Sequence, residues 1–279
     1  MYSAEISRRN PTCFIYLIDQ SGSMSDPWGG DTSGVLKNKG VADAINRLLS
    51  NLIIKCSKSE GIWDYFEIGV IGYGSDRGVS PAFQGMFAGQ EIVKISELAN
   101  NPARIEERIQ KISDGAGGIV DQLVKFPIWF EPIAENGTPM CEGISYAKRI
   151  VEKWIVSHME SYPPVVINIT DGESTDGNPL SNAKDIAQLK TNDGNILFLN
   201  CHISSHKAAS IIFPDSSAGL PDQYAKLLFD MSSILPEPII NTAQKEGYNL
   251  SNQSRGFAFN TDLVELIRFL DIVTKRNLR

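Results

Sequence analysis

The sequence predicts an α/β fold: a doubly wound, mainly parallel central sheet with one short antiparallel edge strand and helices on both faces. Short apolar runs rich in β-branched residues recur along the chain. They are nearly continuous rather than alternating, which is typical of strands buried on both faces of a parallel sheet. Segments with helical periodicity lie between them. Alternation of this kind favours βαβ units.

Four apolar runs are predicted as strands: residues 14–18, 66–71, 165–169 and 196–199. A shorter run at residues 92–95 follows a long Gly-rich connection, residues 73–89, with no convincing helix before it. We predict this short run as the antiparallel edge strand, since an antiparallel neighbour needs no crossover helix.

Two helices are predicted from apolar stripes that would face a core. The stripes are Val41, Ile45, Leu48, Leu49 and Leu52, and Ile144, Ala147, Val151 and Trp154. Further helices are predicted near residues 185–189, 222–231 and 261–275, the last with Thr261 or Asn260 as its N-cap. We see no repeat or linker, so we predict a single domain over residues 1–279 with its core at about 12–275.

Composition limits the classes of partner. The 279 residues include 26 basic and 33 acidic side chains, a net charge of −7, and no basic run interleaved with aromatics. We therefore expect no binding to nucleic acid. The N-terminal segment lacks the apolar region of a signal peptide, and no uncharged apolar stretch reaches the ~18 residues of a membrane span. These observations predict a cytoplasmic protein without membrane contact.

The cysteines do not suggest a metal site or a disulfide framework. Cys13, Cys56, Cys141 and Cys201 lie far apart and form no CxxC pair. We predict reduced, mostly buried thiols.

The stretch FIYLIDQSGSM changes from apolar to polar within one residue step. Asp19, Ser21 and Ser23 follow the first predicted strand at alternate positions, with Gly22 between the serines. Ligands of open α/β sheets bind beyond the carboxyl ends of the strands, and alternate residues of an extended loop can face one side. One carboxylate and two hydroxyls are hard oxygen ligands that suit Mg²⁺. Alternatively, Asp19 and Ser21 cap a helix or form an Asx turn without a metal.

Two other segments can supply further oxygens. VVINITDG repeats the pattern of an apolar strand that ends in a carboxylate, Asp171, before a glycine. NGTPM places the Thr138 hydroxyl next to a predicted helix start, with Pro139 at the first turn. Each segment alone is an ordinary turn or helix start, but together with the first stretch they indicate a composite metal site.

These residues resemble the von Willebrand factor A domain family. Its metal-ion-dependent adhesion site consists of Asp-x-Ser-x-Ser after the first strand, a Thr in a later loop and an Asp after a following strand. The matching residues, in family order, are Asp19, Ser21, Ser23, Thr138 and Asp171. The resemblance covers roughly residues 12–275 and implies the family's Rossmann-like sheet.

The resemblance also implies a function. Ser21, Ser23 and Thr138 would hold Mg²⁺, or Mn²⁺ or Ca²⁺, through their hydroxyls, and Asp19 and Asp171 would act directly or through water. Because hydroxyls are neutral, the cation would keep much of its charge and could accept a Glu or Asp of a partner protein. We therefore expect a metal-dependent protein-interaction module, an adaptor in a bacterial signalling, stress-response, ATPase-linked or defence complex. Adhesion at a surface is the second version of this hypothesis.

Further residues are candidates for the surface around the metal site. Trp28 lies in a Gly-rich extension of the first loop and is a candidate partner-binding side chain, or it folds back on its own loop. The loops at residues 73–89 and 113–118 are candidates for the same face, and Asp26, Asp31 and Asp176 would make that face acidic. We expect His158, His202 and His206 to be structural.

An enzyme is the alternative hypothesis. A haloacid-dehalogenase-like phosphotransferase also places an Asp after its first strand and binds Mg²⁺, but it needs a second Asp two residues later, where this chain has Ser21. The chain has neither a P-loop nor a Gly-x-Ser-x-Gly elbow. We therefore predict that the protein is not an enzyme.

Overall fold

The structure is a computed structural model in which residues 1–29, 34–113, 118–204 and 209–275 are described. The helices are α1 Lys37–Cys56, α2 Ile95–Asn100, α3 Met140–Ser157, α4 Leu180–Gln188, α5 Gln223–Met231, α6 Glu237–Lys245 and α7 Leu263–Thr274. The strands are β1 Thr12–Asp19, β2 Ser57–Lys58, β3 Gly61–Ile62, β4 Phe66–Ser75, β5 Gly78–Pro81, β6 Val93–Lys94, β7 Arg104–Ser113, β8 Ile119–Ile128, β9 Val165–Thr170, β10 Lys190–Thr191, β11 Gly194–Asn195, β12 Leu197–Ile203, β13 Ile211–Ile212 and β14 Phe257–Thr261.

The main sheet of the described chain has eight strands in the order β13-β14-β12-β9-β1-β4-β5, with β6 also paired to β4. Its five central strands are parallel. This arrangement confirms the predicted doubly wound α/β fold. The short run at residues 92–95 does contain the antiparallel strand β6.

The prediction of a single antiparallel edge strand is incomplete. β5 also pairs antiparallel with β4, inside the stretch predicted as a connection, and β13 pairs antiparallel with β14 at the opposite edge. The turn between β4 and β5 depends on Gly78, whose φ of +67° is readily adopted only by glycine. A strand of four residues with only partly buried side chains leaves little periodic signal.

Helices cover both faces of the sheet and divide the core into two layers. α1, α2, α6 and α7 pack on one face and α3, α4 and α5 on the other. Along β1, Phe14, Tyr16 and Ile18 face the first layer, whereas Cys13, Ile15 and Leu17 face the second. Both sets are buried, which is why the run is continuously apolar. The four cysteines are free thiols and only Cys141 is partly exposed.

Most helix predictions are confirmed, but the end of the chain differs. The stripes of α1 and α3 and the helix α5 lie where they were predicted, whereas α4 begins at Leu180, five residues before the predicted segment 185–189. The N-cap of α7 is Asp262, whose carboxylate accepts the Glu265 amide at 2.8 Å. The predicted caps, Asn260 and Thr261, instead belong to β14, which the sequence analysis missed together with α6.

β7 and β8 form a separate antiparallel ribbon of two ten-residue strands, which was also missed. Ile105, Ile109 and Leu123 lie on it with more than half of their surface exposed, so burial does not impose a clear alternation. Residues 114–117 of the loop predicted to lie near the metal site are outside the described residues. Within the described chain, no helix combines the length and apolarity needed to cross a membrane.

The winding of the sheet reverses between β1 and β9. From β1 the chain proceeds to β4 on one side, and from β9 it proceeds to β12 on the other. At such a switch point the loops that leave the two carboxyl ends diverge and open a crevice, where open α/β sheets bind ligands. Asp19 ends one of these strands and Asp171 follows the other.

Candidate functional site

The carboxylate of Asp19 is buried at the switch point and held by neutral donors. Its Oδ1 accepts the Ser21 amide at 2.9 Å, and its Oδ2 accepts the Thr170 hydroxyl at 2.7 Å. Asp19 is 0% exposed. The bond from the Ser21 amide is the Asx turn that the sequence allowed as an alternative, so this turn and a clustered set of oxygens occur together.

The loop after Asp19 is more tightly curled than the extended segment that was predicted. Residues Gly22–Ser25 form a 3-10 turn. The turn still brings the two serine hydroxyls together, with Ser21 Oγ 3.1 Å from Ser23 Oγ. Ser21 is buried while Ser23 is exposed, so the hydroxyl pair runs from the protein interior to solvent.

Backbone hydrogen bonds attach the second loop to the first. The amide of Glu135 donates to Gln20 O at 2.8 Å, and the amide of Gly22 donates to Asn136 O at 2.8 Å. A Cβ on Gly22 would lie 2.8 Å from Glu135 O, which explains the glycine between the serines. This close approach places Thr138, at the entrance to α3, beside the first loop.

The third loop completes the cluster. Ser23 Oγ donates to Asp171 Oδ1 at 2.8 Å, and the Thr138 amide donates to Thr175 Oγ1 at 3.0 Å. An ideal Cβ on Gly172 would lie 3.8 Å from Thr138 Oγ1 and 4.0 Å from Ser23 Oγ, so both hydroxyls face this glycine. The structure thus brings together, from three loops, the predicted ligands of the candidate metal site: Asp19, Ser21, Ser23, Thr138 and Asp171.

Sequence reasoning missed two side chains that contact the third loop. Lys37 Nζ forms a salt bridge with Asp171 Oδ2 and lies 3.6 Å from Asp26 Oδ2. The Tyr224 hydroxyl donates to Gly172 O. Neither residue belongs to a local motif. Thr170, by contrast, directly precedes Asp171, and its place at a strand end could have indicated its contact with Asp19.

Burial perturbs two titratable groups at this edge of the sheet. Burial raises the pKa of Asp19 to about 6, with Asp171 adding to the shift and the bonds from Ser21 and Thr170 opposing it. Burial lowers the pKa of His202 to about 4, and Lys37 contributes in the same direction. His202 Nδ1 accepts the Asn260 amide at 3.3 Å, which places the single proton of the neutral ring on Nε2.

The prediction that Trp28 is a partner-binding side chain is wrong. Trp28 is 2% exposed, and its Nε1 donates to Thr261 O at 2.8 Å. Its ring lies over Gly40 on α1, where an added Cβ would come within 2.5 Å of it. The indole is buried because its apolar surface packs against α1 while its N–H finds an internal acceptor.

The two described aspartates that were predicted to make this face acidic, Asp26 and Asp176, both have partners within the protein. Asp176 accepts the amides of Cys141 and Glu142 at 3.0 and 2.9 Å and therefore caps α3. Burial opposes its ionisation, but hydrogen bonds from Ser174 and these amides outweigh that effect and lower the pKa of Asp176. Asp26 is paired with Lys37, and Asp31 lies outside the described residues.

His158 and His202, the two described histidines, are not among the clustered ligands of the candidate metal site. His158 stacks on Trp154 at 4.2 Å, and His202 stacks on Phe259 at 4.5 Å. His206 lies outside the described residues. His202 lines a cavity of about 410 Å³ together with Ser23, Lys37, Asp171 and Tyr224. A larger cavity of about 640 Å³ lies far from this edge, between α1 and α7.

The donors fit a hard divalent cation. Three hydroxyls and two carboxylates are all oxygen ligands, and within the described chain the Thr138 hydroxyl has no hydrogen-bond partner. Burial raises the pKa of Asp19, and its described hydrogen-bond donors, the Ser21 amide and the Thr170 hydroxyl, are neutral. No three His, Cys, Asp or Glu side chains of the described residues could hold a metal ion together, so a cation here would depend on the hydroxyls.

Comparisons with known proteins add little to this geometry. No protein-family model matches the chain, and no curated protein matches it. Among solved structures, the chain is similar to the crystal structure of the vWF domain of the type V pili tip protein Mfa5 from Porphyromonas gingivalis. The match has 15% identity and a TM-score of 0.31, and it covers 60% of this chain but only 39% of that one. The fold assignment therefore rests on the topology of the chain itself.

Proposed function

We propose that the protein is a metal-dependent protein-interaction module, similar in kind to von Willebrand factor A domains. Ser21, Ser23 and Thr138 would hold Mg²⁺, or Mn²⁺ or Ca²⁺, with Asp19 and Asp171 bound directly or through water. One observation carries the proposal. Oxygen side chains from three loops, otherwise separate in the sequence, converge at the switch point of the sheet around a buried carboxylate.

The roles of the ligand residues follow from their exposure. Asp19 supplies negative charge from inside the protein, where its carboxylate is held in place by Ser21 and Thr170. Ser23 is exposed, so the cluster opens to solvent at its hydroxyl. A bound divalent cation would supply positive charge at that opening, and a Glu or Asp of a partner protein would be attracted to it.

We further propose an adaptor role rather than catalysis, in the cytoplasm and in a bacterial signalling, stress-response, ATPase-linked or defence complex. Ser21 occupies the position at which a haloacid-dehalogenase-like phosphotransferase needs its second carboxylate. Incubation with p-nitrophenyl phosphate and Mg²⁺ should therefore give no turnover. A turnover that Asp19→Asn abolishes would contradict the proposal.

Calorimetric titration of metal-free protein with Mg²⁺ or Mn²⁺ tests the metal site. We expect one binding site, lost in Asp19→Ala and weakened at least about tenfold in Thr138→Val, because each removes an oxygen ligand. Ser145→Ala is the matched control, since the hydroxyl of this exposed serine on α3 contacts Cys141 O and Asn182 Nδ2 and none of the candidate ligands. Metal binding that survives Asp19→Ala unchanged would contradict the assignment.

Affinity capture with and without EDTA tests the interaction. We expect a partner that is retained in Mg²⁺, released by EDTA and absent when Asp19→Ala is the bait. Retention of the same partner by Ser145→Ala controls for the mutagenesis. A partner that resists EDTA would place the interaction elsewhere on the surface.

A further inference from the structure

Lys37 places a buried positive charge at the candidate metal site. The residue is 3% exposed, although lysine is rarely buried without a charged partner. Its ammonium bonds to Oδ2 of Asp171, whose side chain is 0% exposed. Ser23 Oγ binds the other oxygen, Oδ1, at 2.8 Å. The carboxylate of Asp171 therefore bridges the hydroxyl cluster and the ammonium.

The backbone fixes this lysine in place. Its amide donates to Asp26 O at 3.0 Å, and the neighbouring Leu36 forms an antiparallel bridge with Pro27. The Trp28 amide donates to Val35 O at 2.8 Å, one step further along the same pair of segments. The pairing of residues 26–28 with residues 35–37 thus fixes the backbone of Lys37 at the start of α1.

The ammonium changes the charge that a metal ion would meet. Asp19 and Asp171 carry one negative charge each when ionised and the hydroxyls carry none, while Lys37 bonds to Asp171 and also lies 3.6 Å from the more exposed Asp26 carboxylate, so it offsets most of the charge of Asp171. In a buried site such charges are weakly screened, so the ammonium repels a divalent cation that approaches the other carboxylate oxygen.

We propose that Lys37 is a built-in counter-ion that competes with the divalent cation. Without metal it neutralises buried Asp171 and stabilises the third loop, and with metal it lowers the affinity of the site. The same positive charge leaves the loaded site more cationic, which favours an acidic partner side chain. The competition between Lys37 and metal rests on the proposed function, whereas the ion pair in the metal-free protein does not.

The first test compares metal affinity in matched variants. Calorimetry with Mg²⁺ should show at least roughly tenfold tighter binding for Lys37→Met than for the wild type, because a repelling charge is removed. Lys39→Met should bind as the wild type does, since Lys39 is exposed on the first turn of the same helix. Equal or weaker binding by Lys37→Met would overturn the competition and leave Lys37 only a positioning role.

The second test needs no metal. Thermal unfolding in EDTA is measured for Lys37→Met, Asp171→Asn and the double variant. Each single change should lower Tm by roughly 5 °C or more, because it removes the closer ionic partner of a buried charge, with only the more exposed Asp26 left beside Lys37 in Asp171→Asn, and the double variant should lose less than the sum. If Lys37→Met does not fold, Lys37→Gln replaces it. Additive effects would overturn the counter-ion role.

The two tests separate this inference from the proposed function. Coupled unfolding effects together with tighter Mg²⁺ binding by Lys37→Met support both. If the unfolding effects are coupled but neither the wild type nor Lys37→Met binds Mg²⁺, the proposed function is overturned. Lys37 is then supported only as the counter-ion of Asp171.

Discussion

Two neighbouring strand ends share a sequence pattern but differ in electrostatic environment. β1 and β9 are adjacent, parallel and fully buried, and each is followed or ended by an aspartate. Asp19 is held by an amide and a hydroxyl, and the pKa of its carboxyl is raised to about 6 by burial. Asp171 instead pairs with the Lys37 ammonium. The same local pattern therefore gives one under-compensated carboxylate and one neutralised carboxylate.

This difference suggests that the two carboxylates have different roles in the candidate metal site. Asp19 has no lysine or arginine among its described hydrogen-bond and ion-pair partners, so we expect a bound cation to stabilise this carboxylate more than Asp171. Asp171 already has its counter-ion and is fixed between Ser23 and Lys37. The following predictions test the contrast, from the largest expected effect to the smallest.

The largest effect should come from converting each aspartate to asparagine in metal-free protein at pH 7.5. Asp171→Asn leaves the buried Lys37 with only the more exposed Asp26 carboxylate, 3.6 Å away, as an ionic partner and should lower the free energy of unfolding by about 3 kcal/mol. Asp19→Asn removes a buried charge but keeps only one acceptor oxygen for the Ser21 amide and the Thr170 hydroxyl, so the two effects should oppose each other and change this free energy by less than about 1 kcal/mol. Urea denaturation in EDTA measures both, and equal destabilisation by the two variants would contradict the contrast.

The pH dependence of stability should separate Asp19 from His202. The folded pKa of Asp19 is raised to about 6, so its contribution to stability is lost as pH rises from about 4 towards 6. The folded pKa of His202 is lowered to about 4, so its contribution is lost as pH falls from about 6.5 towards 4. Each amounts to roughly 3 kcal/mol with opposite sign, and the two nearly cancel in the wild type.

Single variants should expose these opposite slopes. In metal-free Asp19→Asn, stability should fall as pH is lowered from 6.5 to 4, because His202 takes up a proton on unfolding and the opposing proton release by Asp19 is gone. In His202→Gln, stability should rise over the same interval. Urea midpoints measured at half-unit pH steps give both slopes, and parallel profiles in the two variants would refute the assignment.

Gly40→Ala tests whether the packing of Trp28 against α1 stabilises the start of this helix, where Lys37 pairs with Asp171. An added Cβ would lie 2.5 Å from the Trp28 ring, so the packing that fixes the start of α1 must shift. We expect a loss of about 2 kcal/mol in the free energy of unfolding. The Trp28→Phe background lacks the ring atoms that clash, so the same substitution should cost less there. Denaturation of the four proteins gives this coupling, and identical costs would contradict the packing.

The smallest effect concerns metal affinity and pH. If Asp19 is the carboxylate that a cation stabilises, protons should compete with Mg²⁺ below pH 6, where its carboxyl is protonated. The apparent affinity should fall by about tenfold per pH unit in that range and level off above pH 7. Calorimetry in two buffers of different ionisation enthalpy also reports the released proton. An affinity that is constant from pH 5 to 7.5 would contradict this role.

Much of the fold was predictable because burial imposes a local pattern. The central strands are covered on both faces and read as continuous apolar runs, and α1 and α3 carry clear core stripes. The ribbon β7–β8 and the short strand β13 were missed, since exposed or two-residue strands have no such constraint. The N-cap of α7 was misplaced because β14 continues to Thr261 and only Asp262 separates it from α7. With no loop between them, the sequence does not mark where the strand ends and the helix begins.

The sequence by itself determined which side chains could be ligands and where they lie along the strands. Each polar step at a strand end is a local property, and parallel strands necessarily bring their carboxyl ends to one edge. Only the tertiary structure decided the electrostatics. Lys37 meets Asp171 across 134 residues of chain, and Trp28 turns inward to Thr261 across 233. A pKa depends on charges and burial in space, so two similar motifs could become chemically different carboxylates.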